Sequence, residues 1–179
     1  MLETDRLFLR ELTVEDFDDV HAYGSDPEVV EYVAWGPNTE QETRDFLERT
    51  VEEASADPRL QWLFAVVRKS DERLLGSAGL YLPGVDAHQA MLGYAYGREA
   101  WGRGFATEAA LEMVTLGFDV LGLRRIWAAC DPDNRASARV LEKIGMRLEG
   151  RLREDQNIRG RLRDSLVYGL LEPEWTRRK

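Results

Sequence analysis

The chain has one cysteine, Cys130, and two histidines, His21 and His88, in 179 residues. One cysteine closes no disulfide within the chain, and together with two separated histidines it builds no zinc cage, so no metal site is expected. A reducing compartment is the natural reading, with Cys130 as a small buried hydrophobe rather than a reactive thiol. Long hydrophobic runs are missing as well: no uninterrupted apolar stretch approaches the ~18 residues of a membrane span. Residues 1–6 also lack the basic-then-apolar pattern of a secretory leader. A cytoplasmic protein with no membrane partner is expected. Nor is there a cationic surplus, since 24 Lys and Arg stand against 33 Asp and Glu for a formal charge of −9. Nucleic acid is therefore not expected as a partner, because phosphate neutralisation needs a basic footprint.

What is present fits one globular domain spanning 1–179, with 44% hydrophobic and 32% charged residues and few prolines. Charge is unevenly spread. Between Glu11 and Asp57 there are fifteen Asp or Glu against two Arg, whereas from Arg98 to Lys179 sixteen Lys or Arg face thirteen Asp or Glu. Two readings stay open: solvated helix faces, or a field that attracts a cationic substrate.

Residues 6–12 alternate as a strand. Thr13 with Asp16, and Thr39 with Glu42, are capping boxes that open helices, the first running through Tyr23 and the second ending near Asp57-Pro58. Between them, Tyr32 and Trp35 beside Gly36-Pro37 suit a lid or substrate wall, or equally a packed helix connection. Residues 62–67, 73–82 and 91–96 are β-prone runs joined by short polar turns, hence antiparallel neighbours. A helical period then runs from Gly104 to Leu121, with Gly122 as its stop. Residues 126–130 form a strand, and Asp133-Asn134 cap a helix to Gly145 with Val140, Leu141 and Ile144 inward. Residues 147–153 and 162–171 are a final strand pair around 157–160. The order β-α-α-β-β-β-α-β-α-β-β predicts an α/β (α+β) fold, a mixed, mainly antiparallel sheet flanked by helices.

The most informative segment is Tyr94-Ala95-Tyr96-Gly97-Arg98-Glu99-Ala100-Trp101-Gly102-Arg103-Gly104-Phe105-Ala106-Thr107, a strand passing through a glycine-rich turn into a helix start. Such a turn aims consecutive backbone N–H groups at a ligand beside the positive end of a helix dipole, which suits a pyrophosphate. A P-loop is excluded because no Gly-Lys-Ser/Thr follows. A dinucleotide fingerprint fails because Phe105, Ala106 and Thr107 stand where a third glycine is needed and antiparallel strands precede the turn.

Trp101-Gly102-Arg103-Gly104-Phe105-Ala106 resembles the pyrophosphate loop of the GNAT acetyltransferases, with Trp101 where Gln or Arg is usual. The longer string through Thr107-Glu108-Ala109 is similar to the RimJ/RimL-like branch, which contains the ribosomal-protein N-terminal acetyltransferases. Asn134 with Ser137, residues 142–146, Arg163-Asp164 and Tyr168 also match that branch, and the resemblance spans roughly residues 3 to 175. It implies that the strand at Tyr94, Ala95 and Tyr96 splays from its neighbour strand and pairs its backbone with the pantetheine amides and thioester carbonyl of acetyl-CoA. The backbone from Gly102 through Arg103, Gly104, Phe105 and Ala106 to Thr107 would hold the pyrophosphate, with Arg103 and Lys143 as cations for the outer phosphates. Asn134 and Ser137 would face the thiol, and Tyr32 and Trp35 the acceptor.

The implied chemistry is direct attack of a primary amine on the thioester, with a backbone N–H on the oxyanion and a proton supplied to the departing sulfur. Many relatives supply that proton from a tyrosine whose place here is taken by Leu141, which makes Ser137, one turn earlier, the substitute. No general base stands out; Glu99, Asp131 and Asp164 are candidates through a water. The acceptor, a protein N-terminus or a small cationic amine, stays open, as do acyl-chain preference and a homodimeric state. A noncatalytic acyl-CoA-binding domain is the alternative.

Overall fold

The computed structural model describes residues 1–175. Its strands are β1 (Leu2–Glu3), β2 (Leu7–Glu11), β3 (Gln61–Arg68), β4 (Leu74–Tyr81), β5 (Gln89–Tyr96), β6 (Arg125–Cys130), β7 (Arg147–Ile158) and β8 (Arg161–Leu171). They form one sheet in the order β1-β2-β3-β4-β5-β6-β8-β7. The β5–β6 pair is parallel and the others are antiparallel. The sheet is mixed and mainly antiparallel, as the sequence suggested, with β1 as a short additional edge strand.

Helices α1 (Phe17–Gly24) and α2 (Glu40–Ala54) cover one face; α3 (Phe105–Thr115) and α4 (Arg135–Lys143) cover the other. The pattern of β3 follows from this sandwiching. Leu63, Ala65 and Val67 pack with Val20, Tyr23 and Leu47 of α1 and α2. Phe64 and Val66 join Ala109, Met113 and Leu141 of α3 and α4. A strand buried on both faces has no polar alternate residues, so its sequence is a continuous apolar run. Both capping boxes form; at α2, the Thr39 N–H donates to Glu42 Oε2 at 2.7 Å.

Three boundaries differ from expectation. The helix expected to reach Leu121 changes pitch at Leu116 into a π-helical turn over Leu116–Val120, closed by the Leu121 N–H on the Leu116 carbonyl at 2.9 Å. Gly117 lies in that wider turn, and a Cβ there would sit 2.6 Å from Ile126 Cδ1, so any larger residue would have to push the Ile126 side chain of β6 aside. The helix expected to end at Gly145 stops at Lys143, with Gly145 at φ +96° reversing the chain. The final hairpin is longer than expected: β7 continues to Ile158 through an irregularity between Leu152 and Gln156. Its turn is only Arg159 and Gly160, both at positive φ, as a tight hairpin turn demands.

Candidate active site

β5 and β6 pair only from Gln89 with Arg125 to Met91 with Trp127, and then part. Beyond that point β5 stays with β4 as far as Tyr96 opposite Gly76, and β6 stays with β8 as far as Cys130 opposite Leu166. The Gly97 N–H bonds the Leu75 carbonyl of β4. Strand alternation therefore turns the backbone groups of Leu92, Tyr94 and Tyr96 the other way, into the gap. The Tyr96 carbonyl is taken by the Trp101 indole N–H at 2.9 Å, which leaves the backbone of Leu92 and Tyr94 to line the opening.

At the end of β5 the chain makes a short 3-10 turn over Arg98–Ala100 and enters α3 through Gly102 at φ +70° and Gly104 at φ +81°. Gly104 is the N-cap, and the Glu108 N–H on the Gly104 carbonyl is the first helical hydrogen bond, at 3.1 Å. Phe105, Ala106 and Thr107 thus carry first-turn amides with no acceptor inside the helix. The turn is braced from outside: Arg6 donates to the Arg103 carbonyl at 3.0 Å and to Glu108 of α3 at 2.7 Å, with its guanidinium stacked on Phe105. Arg103 is exposed and lies over Phe105, and Lys143 is exposed at the end of α4. Neither makes an ion pair among the described residues. The clustered first-turn amides, the helix dipole and the unpaired Arg103 beside them fit a diphosphate.

The Ser137 hydroxyl of α4 shares a hydrogen bond of 2.9 Å with the Tyr94 hydroxyl of β5, and the Cys130 thiol of β6 lies near enough to feel it. Burial pushes that thiol up to about 11, with the serine hydroxyl pulling the other way. Cys130 is therefore a neutral thiol at physiological pH, and it borders Ser137, a placement that sequence spacing alone did not reveal. Asn134 is the N-cap of α4, its side-chain oxygen accepting the Ser137 N–H at 3.0 Å. Leu141 is buried in the core and offers no polar group to the gap.

Each carboxylate considered as a base is already engaged. Glu99 pairs with Arg73 at 2.9 Å. Burial alone would push the Asp131 carboxyl up, but Arg163 donates to both its oxygens at 2.7 Å, and with the Asp133 N–H this holds it below the usual range. The Glu154 N–H and Arg151 likewise lower Asp164.

Tyr32 lines a cavity of about 390 Å³ with Glu31, Ile158, Arg159, Arg161 and Arg163, while Trp35 is exposed and is not part of that lining. The segment around Tyr32 is held by Arg159 at the hairpin tip. Its guanidinium donates to the carbonyls of Val30 at 2.7 Å, Glu31 at 2.8 Å and Gly36 at 2.9 Å. The sequence reading treated residues 157–160 only as a turn, and nothing local marks Arg159 as a latch. Among the described residues no helix is long and apolar enough to cross a membrane, and no cluster of three or more His, Cys, Asp or Glu could hold a metal.

These features agree with what the chain is similar to. An N-acetyltransferase from Bacillus licheniformis called p20, itself uncharacterised, is 34% identical over 175 residues, covering 97% of each chain. The crystal structure of a GNAT-family acetyltransferase from Bacillus anthracis superposes with a TM-score of 0.85 at 30% identity, covering 96% of this chain and 98% of that one. The ribosomal protein uS5 alanine N-acetyltransferase of Escherichia coli is 30% identical over 89 residues, 50% of this chain and 46% of that protein. The model of the acetyltransferase (GNAT) domain matches residues 6–147, and the chain belongs to that family.

Proposed function

We propose that this chain moves an acetyl group from acetyl-CoA to a primary amine by direct attack, within one domain. The observation that carries the reading is the Tyr94–Ser137 hydroxyl pair at 2.9 Å, set where β5 and β6 no longer pair. Acetyl-CoA supplies the activated thioester carbonyl. The amides of residues 102–107 hold its diphosphate, assisted by Arg103 and Lys143, and the open edge at Leu92 and Tyr94 pairs with the pantetheine amides. Ser137 gives a proton to the departing sulfur, near the positive end of the α4 dipole, where developing negative charge is favoured. Asn134 fixes the first turn that presents Ser137. With Asp131 and Asp164 held ionised by their own partners, the acceptor ammonium gives up its first proton to water and attacks as the neutral amine.

The acceptor enters past Tyr32 and Trp35. Arg163 is paired with Asp131 and Asp133, whereas Arg159, bound to neutral carbonyls, keeps its charge and stands with Arg161 opposite Glu31 in the cavity lining. The acidic surplus of the first third of the chain is what supports a cationic amine, a protein N-terminus or a small amine, and kcat/KM for it should fall as ionic strength rises. The direct test is thiol release from acetyl-CoA with a library of primary amines. Release with at least one primary amine and none with tertiary amines is the expected result. Tight acetyl-CoA binding without release on any amine would make the chain an acyl-CoA-binding domain instead.

A further inference from the structure

We propose that Tyr94 is the positioning residue for Ser137, holding the serine hydroxyl so that its proton points at the departing sulfur. The inference rests on the reading of Ser137 as proton donor. Tyr94 comes from β5 and Ser137 from the first turn of α4, 43 residues apart, and their hydroxyls meet at 2.9 Å. The phenol also lies 3.3 Å from the Ser137 carbonyl. That carbonyl is in a helical turn and accepts a bond four residues on. The shorter distance and the free lone pairs both favour donation from Tyr94 to Ser137 Oγ.

A serine that accepts from a tyrosine keeps its own proton free to donate elsewhere, and the accepted bond polarises it toward release. Ser137 then gives its proton to sulfur as the carbon–sulfur bond breaks with its electron pair on sulfur. It recovers a proton from the amine nitrogen, which must shed one as the amide forms, so the exchange balances. Tyr94 keeps its own proton throughout. Burial holds that phenol well above its ordinary range, and among the described residues no cation or second donor at the hydroxyl offsets the cost of a buried phenolate. The phenol therefore orients and stabilises, and does not relay. Leu141 cannot fill this role, and sequence reading assigned Tyr94 a part only through its backbone.

The test is a double-mutant cycle on the full-length protein with acetyl-CoA and whichever primary amine releases thiol. Tyr94→Phe removes one oxygen from a ring that stays packed, and kcat should fall by about three- to tenfold, the range for losing one neutral hydrogen bond. KM for acetyl-CoA should stay constant. In the Ser137→Ala background the same change should cost nothing further, because no hydroxyl is left to orient. A merely structural role for Tyr94 would cost the same factor in both backgrounds, and that outcome overturns the proposal. So does wild-type kcat in Tyr94→Phe when Ser137→Ala is slow, which leaves the serine assignment standing. Wild-type kcat in Ser137→Ala removes the serine assignment itself, and the positioning role with it.

Discussion

The turn at residues 101–107 and the wall at residues 30–36 are both irregular segments beside the sheet, yet they are fixed in different ways. The turn takes its shape mainly from its own residues: two glycines at positive φ, an indole that reaches back five residues to Tyr96, and a helix that starts at once. Arg6 adds a brace. The wall has less order of its own, one turn bond from the Val33 N–H to the Val30 carbonyl at 3.3 Å and Gly36 at φ +69°, and it is held from outside by the Arg159 guanidinium, 123 to 129 residues away in sequence. A site for a common diphosphate can be written in a short contiguous motif. A site for a particular acceptor is set by which distant side chain closes on it, and can change without disturbing the motif.

Separate construction predicts separable defects. The largest should come outside both segments, at the reacting sulfur: Ser137→Ala should lower kcat by about thirty- to a thousandfold, the cost of removing one transition-state donor, while acetyl-CoA still binds. Rapid-quench measurement of the acetyl-transfer step would read this directly. Arg159→Ala should release the wall alone, raising KM for the amine by about three- to tenfold and leaving KM for acetyl-CoA unchanged. Hydrogen exchange at residues 30–36 should quicken in the same variant. If both KM values rose together, the two regions would be one coupled unit and the comparison would break. Cys130→Ala should change kcat by less than about twofold, because a protonated thiol beside Ser137 contributes packing and no proton transfer. A loss as large as that of Ser137→Ala would give Cys130 a chemical role.

The same division explains what could be read from the sequence. The capping boxes at Thr13 and Thr39, the doubly buried β3 and the glycine turn are local patterns with local causes, and they occur where expected. The pitch change at Leu116 was not legible, because the apolar period runs on unbroken through residues 116–121 and nothing local marks the wider turn. The parting of β5 and β6 was anticipated only through family resemblance, since no residue within β5 states where pairing ends. Three further features depend on the assembled sheet: the Tyr94 hydroxyl at Ser137, the bidentate Arg163–Asp131 pair that disqualifies Asp131 as a base, and the Arg159 latch. Arginines are common in the second half of the chain, and spacing gives no sign of which one will meet the carbonyls of Val30, Glu31 and Gly36 rather than solvent.

The central claim is that the diphosphate of acetyl-CoA is held by backbone in a turn that only glycine permits at position 104. Valine at φ +81° is strained whatever space surrounds it, and relief of that strain must move the amides of Phe105 and Ala106. The measurement is a calorimetric titration of acetyl-CoA into the wild type and into Gly104→Val, with the fold of the variant checked by circular dichroism. Binding by the wild type and none by the folded variant is the predicted result; wild-type affinity in folded Gly104→Val would contradict the account.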